Sequence, residues 1–324
     1  MADTFSAPGR IISGRRALDM AADAVAKLGK KALVVTDDIM RQLGNLDKVT
    51  DMLMKAGVSY AVFTGVSGEP DDRMIQAGVA VYREENCDFL VGLGGGSPID
   101  SMKAIAMIAA WGGRPADYMG RTVCEKPAPM AAIPTTAGTG SEATQFTIIT
   151  DTATQVKMLI KGPGLMLDLA VIDPQFTMTA PPKITAATGL DALCHGIEAY
   201  TSRKSQRMSD TFALSAVKRI FRNLAKAYHN GEDEDARSEM SLAALEAGIA
   251  FNNASVTLIH GMSRPIGALF HVAHGLSNAM LMKVCLEYAL EGAYDRFGAL
   301  GRAIGVAGRQ DSDETAARNF LQAV

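Results

Sequence analysis

The sequence predicts an α/β domain built on a mainly parallel sheet, followed by an all-helical domain. Up to about Pro182, short runs rich in Val, Ile and Leu alternate with segments of helical spacing, which is typical of strands that alternate with helices. From Thr185 onward nearly every segment has helical spacing. Because the pair Pro181-Pro182 interrupts the pattern, we predict one domain at residues 1–181 and a second at residues 182–324.

The predicted strands of the first domain are continuous apolar runs, as expected for strands that are covered on both faces. The stretch 146–160 differs, because two β-branched runs flank residues 151–154, and this predicts a hairpin beside the parallel sheet. The clearest parallel strands are residues 32–36, 60–63, 89–92 and 169–172.

Composition favours a small-molecule partner. The 324 residues are enough for two ordinary domains, and 32 basic against 35 acidic residues leave no basic excess that would indicate nucleic acid or an anionic membrane. The four cysteines are far apart and form no CxxC pair, which fits a reducing cytoplasm. The N-terminus lacks the pattern of a signal peptide, and no apolar run reaches about 18 residues. We therefore expect a cytoplasmic chain with no membrane partner.

A glycine segment, GGGSPID at residues 94–100, follows the strand that ends at Leu93. Ser97 is a natural N-cap, Pro98 suits the first helical position, and Asp100 can close a capping box. Glycines let the backbone approach an anion, and a helix start offers free N–H groups, so the segment predicts a pyrophosphate site. Its candidate cofactor-binding residues are Gly95, Gly96, Ser97 and Asp100. Tight packing is the alternative, since the spacing is not GxGxxG, and the lack of GK[ST] disfavours a P-loop.

Three further features are candidates for cofactor binding. Asp37 follows a strand and can accept hydrogen bonds from ribose hydroxyls while it repels a 2′-phosphate; the alternative is a helix N-cap. The polar segment PTTAGTGSE at residues 134–142 can line a cofactor cleft, although a loop before a capped helix explains it equally. Lys157 on the predicted hairpin can meet a phosphate or ribose, or be merely solvated.

The most informative chemistry lies in the second domain. Asp191 and His195 are four residues apart, so a helix places both on one face, close enough to share a metal ion. Two later His-Gly pairs add His260 and His274, which completes a plausible set of one carboxylate and three imidazoles. The chain has only five histidines, and an unpartnered imidazole in these apolar contexts would be costly. For each of these three histidines alone, the alternative is a hydrogen-bonded core residue. His271 is ambiguous, and one option is that it contacts the ligands and not the metal.

Together these motifs resemble the iron-containing (group III) alcohol dehydrogenases. GGGSPID, PTTAGTGSE, GLDALCHGIEAY, HGMSRP and HVAHG are similar to that family in order and spacing, over essentially the whole chain. The resemblance implies an oxidoreductase that transfers a hydride between NAD(H) and a small primary alcohol or aldehyde at a divalent metal. It also implies an active site between the two domains and a homodimer.

The resemblance assigns roles to residues of this chain. The metal ligands would be Asp191, His195, His260 and His274, binding Fe²⁺ or, as an alternative, Zn²⁺. Asp37 would favour NAD over NADP. The pyrophosphate would be held by Gly95, Gly96 and Ser97, and the nucleotide cleft would be lined by Thr135, Thr136, Thr139 and Lys157.

Two departures from the family pattern stand out. Many members have a further histidine four residues after the third ligand, where this chain has Arg264. An arginine stays protonated, so a proton relay would run through ribose hydroxyls and water, or through His271. Arg264 can instead hold an anionic substrate tail, such as a carboxylate or sulfonate.

Relatives also usually continue for a further helical hairpin or two beyond Val324, so part of the helical domain and of the substrate cleft is expected to be missing.

Two other functions remain open from the sequence. One is a zinc-dependent enzyme similar to glycerol dehydrogenase or dehydroquinate synthase, which shares the glycine segment but differs in its substrate residues. The other is a cofactor-binding chain without turnover. Metal analysis, together with assays on a panel of polyols and simple alcohols, distinguishes the zinc-dependent enzyme from an iron-dependent alcohol dehydrogenase. NADH binding without aldehyde-dependent NADH oxidation identifies the chain without turnover.

Overall fold

The computed structural model describes residues 3–270 and 272–324, and for residues 267–269 it describes the backbone alone. The chain divides into two compact units. The α/β unit contains Ser6–Thr136 and Ser141–Thr179, and the helical unit contains residues 3–5, Ala137–Gly140 and the segment from Ala180 to Val324. The predicted fold class, a parallel α/β domain followed by a helical domain, is confirmed.

The α/β unit is built on a six-stranded parallel sheet with strand order β1-β8-β5-β4-β2-β3. A separate antiparallel pair, β6 and β7, is the predicted hairpin. The elements are β1 (Arg10–Ser13), α1 (Ala17–Ala26), β2 (Lys31–Val35), α2 (Asp38–Gln42), α3 (Asn45–Lys55), β3 (Ser59–Phe63), α4 (Asp72–Glu84), β4 (Phe89–Gly94), α5 (Gly96–Trp111), β5 (Met130–Pro134), β6 (Phe146–Asp151), β7 (Val156–Lys161) and β8 (Leu169–Ile172).

Each face of the parallel sheet has its own apolar layer, because successive side chains of a strand point to opposite faces. On β2, Leu33 and Val35 join α4, α5 and the hairpin in one core, whereas Ala32 and Val34 join α1 and α3 in another. Both cores are needed, since the strands β4, β5 and β8 are buried at every position. This two-sided burial explains why the strands appear in the sequence as continuous apolar runs.

The start of α5 differs from the sequence prediction. Gly95, not Ser97, is the N-cap, and the helix begins at Gly96, so Ser97 and Pro98 lie within its first turn. The predicted capping box is therefore wrong: the Asp100 carboxylate accepts hydrogen bonds from the Ser141 hydroxyl and the Ile148 N–H instead. Gly94 explains the earlier start, because it has φ +149° and a Cβ there would lie 2.5 Å from the Pro98 ring.

The helical unit has one large core shared by its long helices. Among the described residues no single helix is long and apolar enough to span a membrane, and one pair bent by 100°, at residues 234–254 and 258–266, passes by length and composition alone. The helices are α6 (Pro182–Thr201), α7 (Arg207–His229), α8 (Glu234–Ala254), α9 (Leu258–Phe270), α10 (His274–Leu290), α11 (Tyr294–Ile304) and α12 (Asp313–Ala323).

Candidate metal and dinucleotide sites

The candidate metal centre is built from α6, α9 and α10. Asp191 and His195 lie one turn apart on α6, and both are buried. His260 lies in the first turn of α9, and His274 is the first residue of α10. The glycine after His274 has a structural reason, because a Cβ at Gly275 would lie 2.4 Å from the Ala187 carbonyl oxygen. Gly275 thus lets α10 begin directly against α6.

Three of the four predicted ligands form a compact group. Donor atoms of Asp191, His195 and His260 all lie within 4.8 Å of one another. The distance from Asp191 Oδ1 to His260 Nε2 is 3.4 Å, and the distance from Asp191 Oδ1 to His274 Nε2 is 3.6 Å. Ligands about 2.1 Å from a tetrahedral ion are about 3.4 Å apart, so these spacings fit a shared divalent ion. His274 Nε2 is close to Asp191 Oδ1, but His274 is not part of this group of three.

Glu198, which the sequence interpretation missed, orients His260. One of its oxygens contacts the imidazole Nδ1, which leaves Nε2 facing Asp191. The other accepts hydrogen bonds from the backbone N–H groups of Thr257 and Ile259, at 3.0 and 2.7 Å, at the start of α9. A carboxylate behind a ligating histidine fixes its tautomer and raises its basicity. Its position three residues after His195, on the same face of α6, is the one sequence feature that could have suggested it.

Asn278, also missed, lies one turn after His274 on α10 and is fully buried. Its Nδ2 donates a hydrogen bond of 2.7 Å to Asp191 Oδ1 and lies 3.1 Å from His260 Nε2 and 3.2 Å from His274 Nε2. One amide nitrogen therefore contacts three of the four predicted ligands. The four-residue spacing from His274 places Asn278 on the same helix face, but nothing in the sequence identifies its partner.

The electrostatics of this cluster suit a cation. Burial alone would raise the pKa of Asp191, but the neighbouring histidines outweigh it and hold the pKa well below its ordinary value. Burial lowers the pKa of His195 to about 3, so this imidazole is neutral and able to ligate. The pKa of His260 is raised to about 9, because hydrogen bonds with Asp191 and Glu198 outweigh the effect of burial. The site thus presents a carboxylate and imidazoles whose protons a metal can displace.

His195 supplies a further test of fit. Its ring stacks on those of Phe251 and His260, with centroids 4.2 and 4.4 Å away, and its Nδ1 is buried without a hydrogen-bond partner among the described residues. A buried imidazole nitrogen without a partner is costly, and a bound metal ion would remove that cost.

Mixed nitrogen and oxygen donors at this spacing fit Fe²⁺ or Zn²⁺, and intrinsic affinity favours zinc.

The candidate dinucleotide site lies at the N-terminus of α5. Its N-cap, Gly95, has no side chain that could cap the helix, so the backbone N–H groups of the first turn, apart from Pro98, which has none, can receive an anion. The following loop is fixed beside it, since the Thr135 N–H donates a 2.9 Å hydrogen bond to the Gly94 carbonyl. A Cβ at Gly95 would lie 3.3 Å from Thr136 Oγ1. Gly95, Gly96, Ser97, Thr135 and Thr136 are thus brought together.

The other predicted cofactor residues have additional partners. Asp37 is the N-cap of α2, where its carboxylate accepts a 2.9 Å hydrogen bond from the Met40 N–H. Lys157 on β7 forms a 2.7 Å ion pair with Glu69. Thr139 belongs to the segment that clusters with the helical unit, whereas Thr135 and Thr136 belong to the α/β unit. Asp100 contacts Ser141 and Ile148, as described above.

The structure describes one of the two predicted catalytic residues. Arg264 lies on α9 one turn after His260, and its side chain is exposed. This places a guanidinium on the same helix as a predicted metal ligand. His271 lies outside the described residues.

Comparisons with known proteins identify the family. Residues 8–174 match the description "Iron-containing alcohol dehydrogenase", and residues 185–324 match "Fe-containing alcohol dehydrogenase family, C-terminal". The chain belongs to the iron-containing alcohol dehydrogenase family. It is 39% identical over 307 residues to the NAD-dependent methanol dehydrogenase of Bacillus methanolicus, covering 94% of this chain and 80% of that protein.

Solved structures agree with this membership. The chain superposes on a 1,3-propanediol oxidoreductase with a TM-score of 0.96 at 35% identity, covering 100% of this chain and 85% of that one. It also superposes on a sulfoacetaldehyde reductase from Bifidobacterium kashiwanohense, solved in complex with NAD⁺, with a TM-score of 0.90 at 30% identity and the same coverage.

Membership of the iron-containing alcohol dehydrogenase family confirms the predicted class of activity. The chain is an NAD-linked oxidoreductase of alcohols and aldehydes, as the sequence motifs indicate. The expectation of a nicotinamide dinucleotide together with a divalent metal is confirmed at the level of the family and by the buried donor group.

Proposed function

We propose that this member of the family interconverts a small primary alcohol and its aldehyde, using NAD(H) bound at α5 and a metal bound by Asp191, His195, His260 and His274. The observation that carries the proposal is the buried donor group, in which Asp191 Oδ1 and His260 Nε2 are 3.4 Å apart. This spacing fits neighbouring ligands of one tetrahedral ion. The names of the relatives, which act on methanol and propanediol, support the substrate class.

Two residues next to the proposed ligands, Glu198 and Asn278, hold the metal-binding atoms of His260 and Asp191 in position. When bound, a divalent ion supplies Lewis acidity toward the oxygen of the alcohol or aldehyde. Glu198 keeps the Nδ1 of His260 engaged so that Nε2 remains a ligand, and Asn278 keeps the Asp191 carboxylate turned toward the imidazoles. Burial of these groups excludes water, which strengthens every electrostatic interaction among them.

Iron is the metal that we propose, on the strength of the family description and not of the donor set. Three imidazoles and one carboxylate bind zinc at least as tightly, so geometry does not select between the two ions. Metal analysis of protein purified without oxygen decides the question. Iron at one equivalent per chain is the expected result, and zinc in its place would contradict this part of the proposal.

For the dinucleotide we propose NAD in preference to NADP. Asp37 follows β2 and presents a carboxylate that can accept hydrogen bonds from ribose hydroxyls and repels a 2′-phosphate. The N-terminus of α5, with Gly95, Gly96 and Ser97, provides N–H groups for the pyrophosphate. Thr135, Thr136, Thr139 and Lys157 are proposed to line the nucleotide cleft, whereas Asp100 is proposed to act through its contacts within the protein.

An anionic tail on the substrate is a further proposal, and it rests on Arg264. The guanidinium is exposed on α9 one turn from His260, and a guanidinium binds carboxylate or sulfonate in a bidentate manner. The structural similarity to a sulfoacetaldehyde reductase supports this substrate class. Arg264→His is expected to lower the ratio of kcat/KM for an anionic aldehyde to that for a neutral aldehyde of equal length. An unchanged ratio would contradict the proposal.

The decisive experiment is an anaerobic assay of the iron-loaded and zinc-loaded protein with NADH and a series of neutral and anionic aldehydes. Aldehyde-dependent oxidation of NADH is expected, and its absence with both metals would overturn the proposed function. His195→Ala should abolish both metal binding and turnover. His229→Ala, at the exposed end of α7, is the matched control and should leave both unchanged.

Three features stay predictions within this proposal: a homodimer, a cytoplasmic location, and the assignment of residues 1–181 and 182–324 as the cofactor and metal domains. Light scattering coupled to gel filtration tests the first, and cell fractionation tests the second. Hydrogen exchange of the intact chain, measured with and without NADH and with and without metal, tests the third.

A further inference from the structure

Lys103 is a buried ammonium that the proposed reaction does not use. It lies on α5 and has no exposed surface. A buried charge is costly unless it is hydrogen-bonded and paired. Burial lowers the pKa of Lys103 to about 8, opposed by the carboxylates of Asp100 and Glu142. A group this costly to bury needs an explanation in what it contacts.

The Lys103 ammonium holds one short segment of the loop that follows β5. Its Nζ donates to the carbonyl oxygens of Ser141, Phe146 and Thr144 at 2.7, 2.8 and 2.9 Å. The hydroxyls of Thr144 and Ser141 lie slightly farther away, at 3.1 and 3.3 Å. Three N–H groups and three carbonyls are matched, so the ammonium replaces the backbone partners that a buried loop would otherwise need.

Asp100 holds the same loop from one turn earlier on α5. Its carboxylate accepts hydrogen bonds from the Ser141 hydroxyl and from the Ile148 N–H, the latter at 2.9 Å. Its carbonyl accepts a 2.8 Å hydrogen bond from the Thr147 hydroxyl. Positive and negative side chains of one helix thus fix residues 141–148 from two successive turns.

The fixed loop continues from the residues that flank the glycine segment. Thr135 hydrogen-bonds to Gly94, and Thr136 packs against Gly95, only a few residues before Ser141. Lys103 itself is seven residues after Gly96, so its Cα lies about 10 Å from the helix start at 1.5 Å per residue. It therefore acts on the pyrophosphate site through the loop and not through contact with the anion.

We propose that Lys103 is a positioning residue of the dinucleotide site: its ammonium holds residues 141–146 against α5 and so keeps Thr135 and Thr136 beside the glycine segment. This inference rests on the proposed binding of NAD(H) at α5. It assigns Lys103 an effect on cofactor affinity and none on the metal centre, whose ligands all come from α6, α9 and α10.

The test compares Lys103→Met with Ser101→Ala. Methionine keeps the unbranched side chain and removes the ammonium. Ser101 is also fully buried on α5, and its hydroxyl has no hydrogen-bond partner among the described residues, so its removal is the matched control. Lys103→Met is expected to raise the Kd for NADH at least about tenfold, measured by fluorescence titration, with unchanged metal content. Ser101→Ala should bind NADH like the wild type.

The outcomes separate this inference from the function on which it rests. Failure of the wild type to bind NADH would contradict the proposed function. A folded Lys103→Met protein with wild-type Kd would contradict the role of Lys103 alone. If Lys103→Met does not fold, Lys103→Gln decides, since its neutral amide keeps N–H donors at this position while it removes the positive charge and the third N–H. A raised Kd with faster hydrogen exchange in residues 141–148 supports the role, and an unchanged Kd overturns it.

Discussion

The carboxylate of Glu198 contacts His260 through both of its oxygens: one meets the imidazole Nδ1, and the other accepts a hydrogen bond from the backbone N–H of the same residue. A single side chain of α6 therefore sets both the ring orientation of a predicted ligand and the start of the helix that carries it. The N–H groups at a helix start need such an acceptor. We therefore expect metal binding and the position of α9 to be coupled through Glu198.

Glu198→Gln is expected to weaken metal binding. A glutamine amide has one oxygen and no negative charge, so it cannot both accept the hydrogen bonds of the α9 N-terminus and stabilise the His260 ring as the carboxylate does. Loss of such a partner typically costs about 10–100-fold in metal affinity. Competition with a chromophoric chelator measures the effect. Glu239→Gln on α8 serves as the control, because Glu239 forms a partly exposed ion pair with Arg219 and is not among the predicted site residues. Equal metal affinity in the two variants would contradict the role of Glu198.

Asn278→Ala tests the amide that contacts three predicted ligands. Without its Nδ2, Asp191 loses a 2.7 Å hydrogen bond, and the carboxylate is free to rotate away from the imidazoles. We expect metal affinity to fall about tenfold or more, with no change in the Kd for NADH. Isothermal titration with each ligand provides both numbers. A loss of NADH binding of the same size as the loss of metal affinity would argue against this specific role.

Glu142 predicts a pH dependence of stability. Its side chain is buried, and burial raises its pKa from 4.5 to about 7. The unfolded chain ionises first, so the contribution of Glu142 to stability is complete below pH 4.5 and is lost as the pH rises through 7. The shift corresponds to about 3 kcal/mol. Glu142→Gln should match the wild type at pH 4 and exceed it at pH 8 in urea unfolding. Parallel pH profiles for the two proteins would refute this.

Asp37→Asn separates charge from helix capping. Asparagine caps a helix as well as aspartate does, so α2 and its hydrogen bond with the Met40 N–H should persist. Removal of the negative charge should raise kcat/KM for NADPH relative to NADH about tenfold. Steady-state kinetics with both cofactors measures the ratio. Asp37→Ala is the comparison, and its additional loss of the helix cap should lower thermal stability. An unchanged ratio of kcat/KM for the two cofactors in both variants would exclude Asp37 from recognition of the cofactor.

Local pattern predicted much of the fold and the principal donors. Continuous apolar runs located β2, β3, β4 and β8, and the Asp191 to His195 spacing identified a shared face of α6 because both depend only on the period of a strand or a helix. The hairpin β6–β7 followed from its β-branched runs in the same way. These features are set by neighbours within about one or two helical turns.

What the sequence did not predict depends on distant partners. Glu198 and Asn278 gain their roles from residues about sixty to ninety positions away, and no local spacing identifies such a pair. The start of α5 was wrong for a different reason: the strong preference of Ser97 for an N-cap was overridden by Gly94, whose positive φ lets the chain turn into the helix two residues earlier.

The membership of Ala137–Gly140 in the helical unit has a consequence for how this polypeptide acquires its structure. The chain passes from one unit to the other after Phe5, Thr136, Gly140 and Thr179. A Cβ at Gly140 would lie 2.6 Å from Gly248 Cα, so the peptide is fitted closely against α8. During synthesis the ribosome therefore releases this peptide before the helix it packs against exists. The helical unit can be completed only after translation has passed α8, and a fragment that begins at Pro182 would lack part of its own interior.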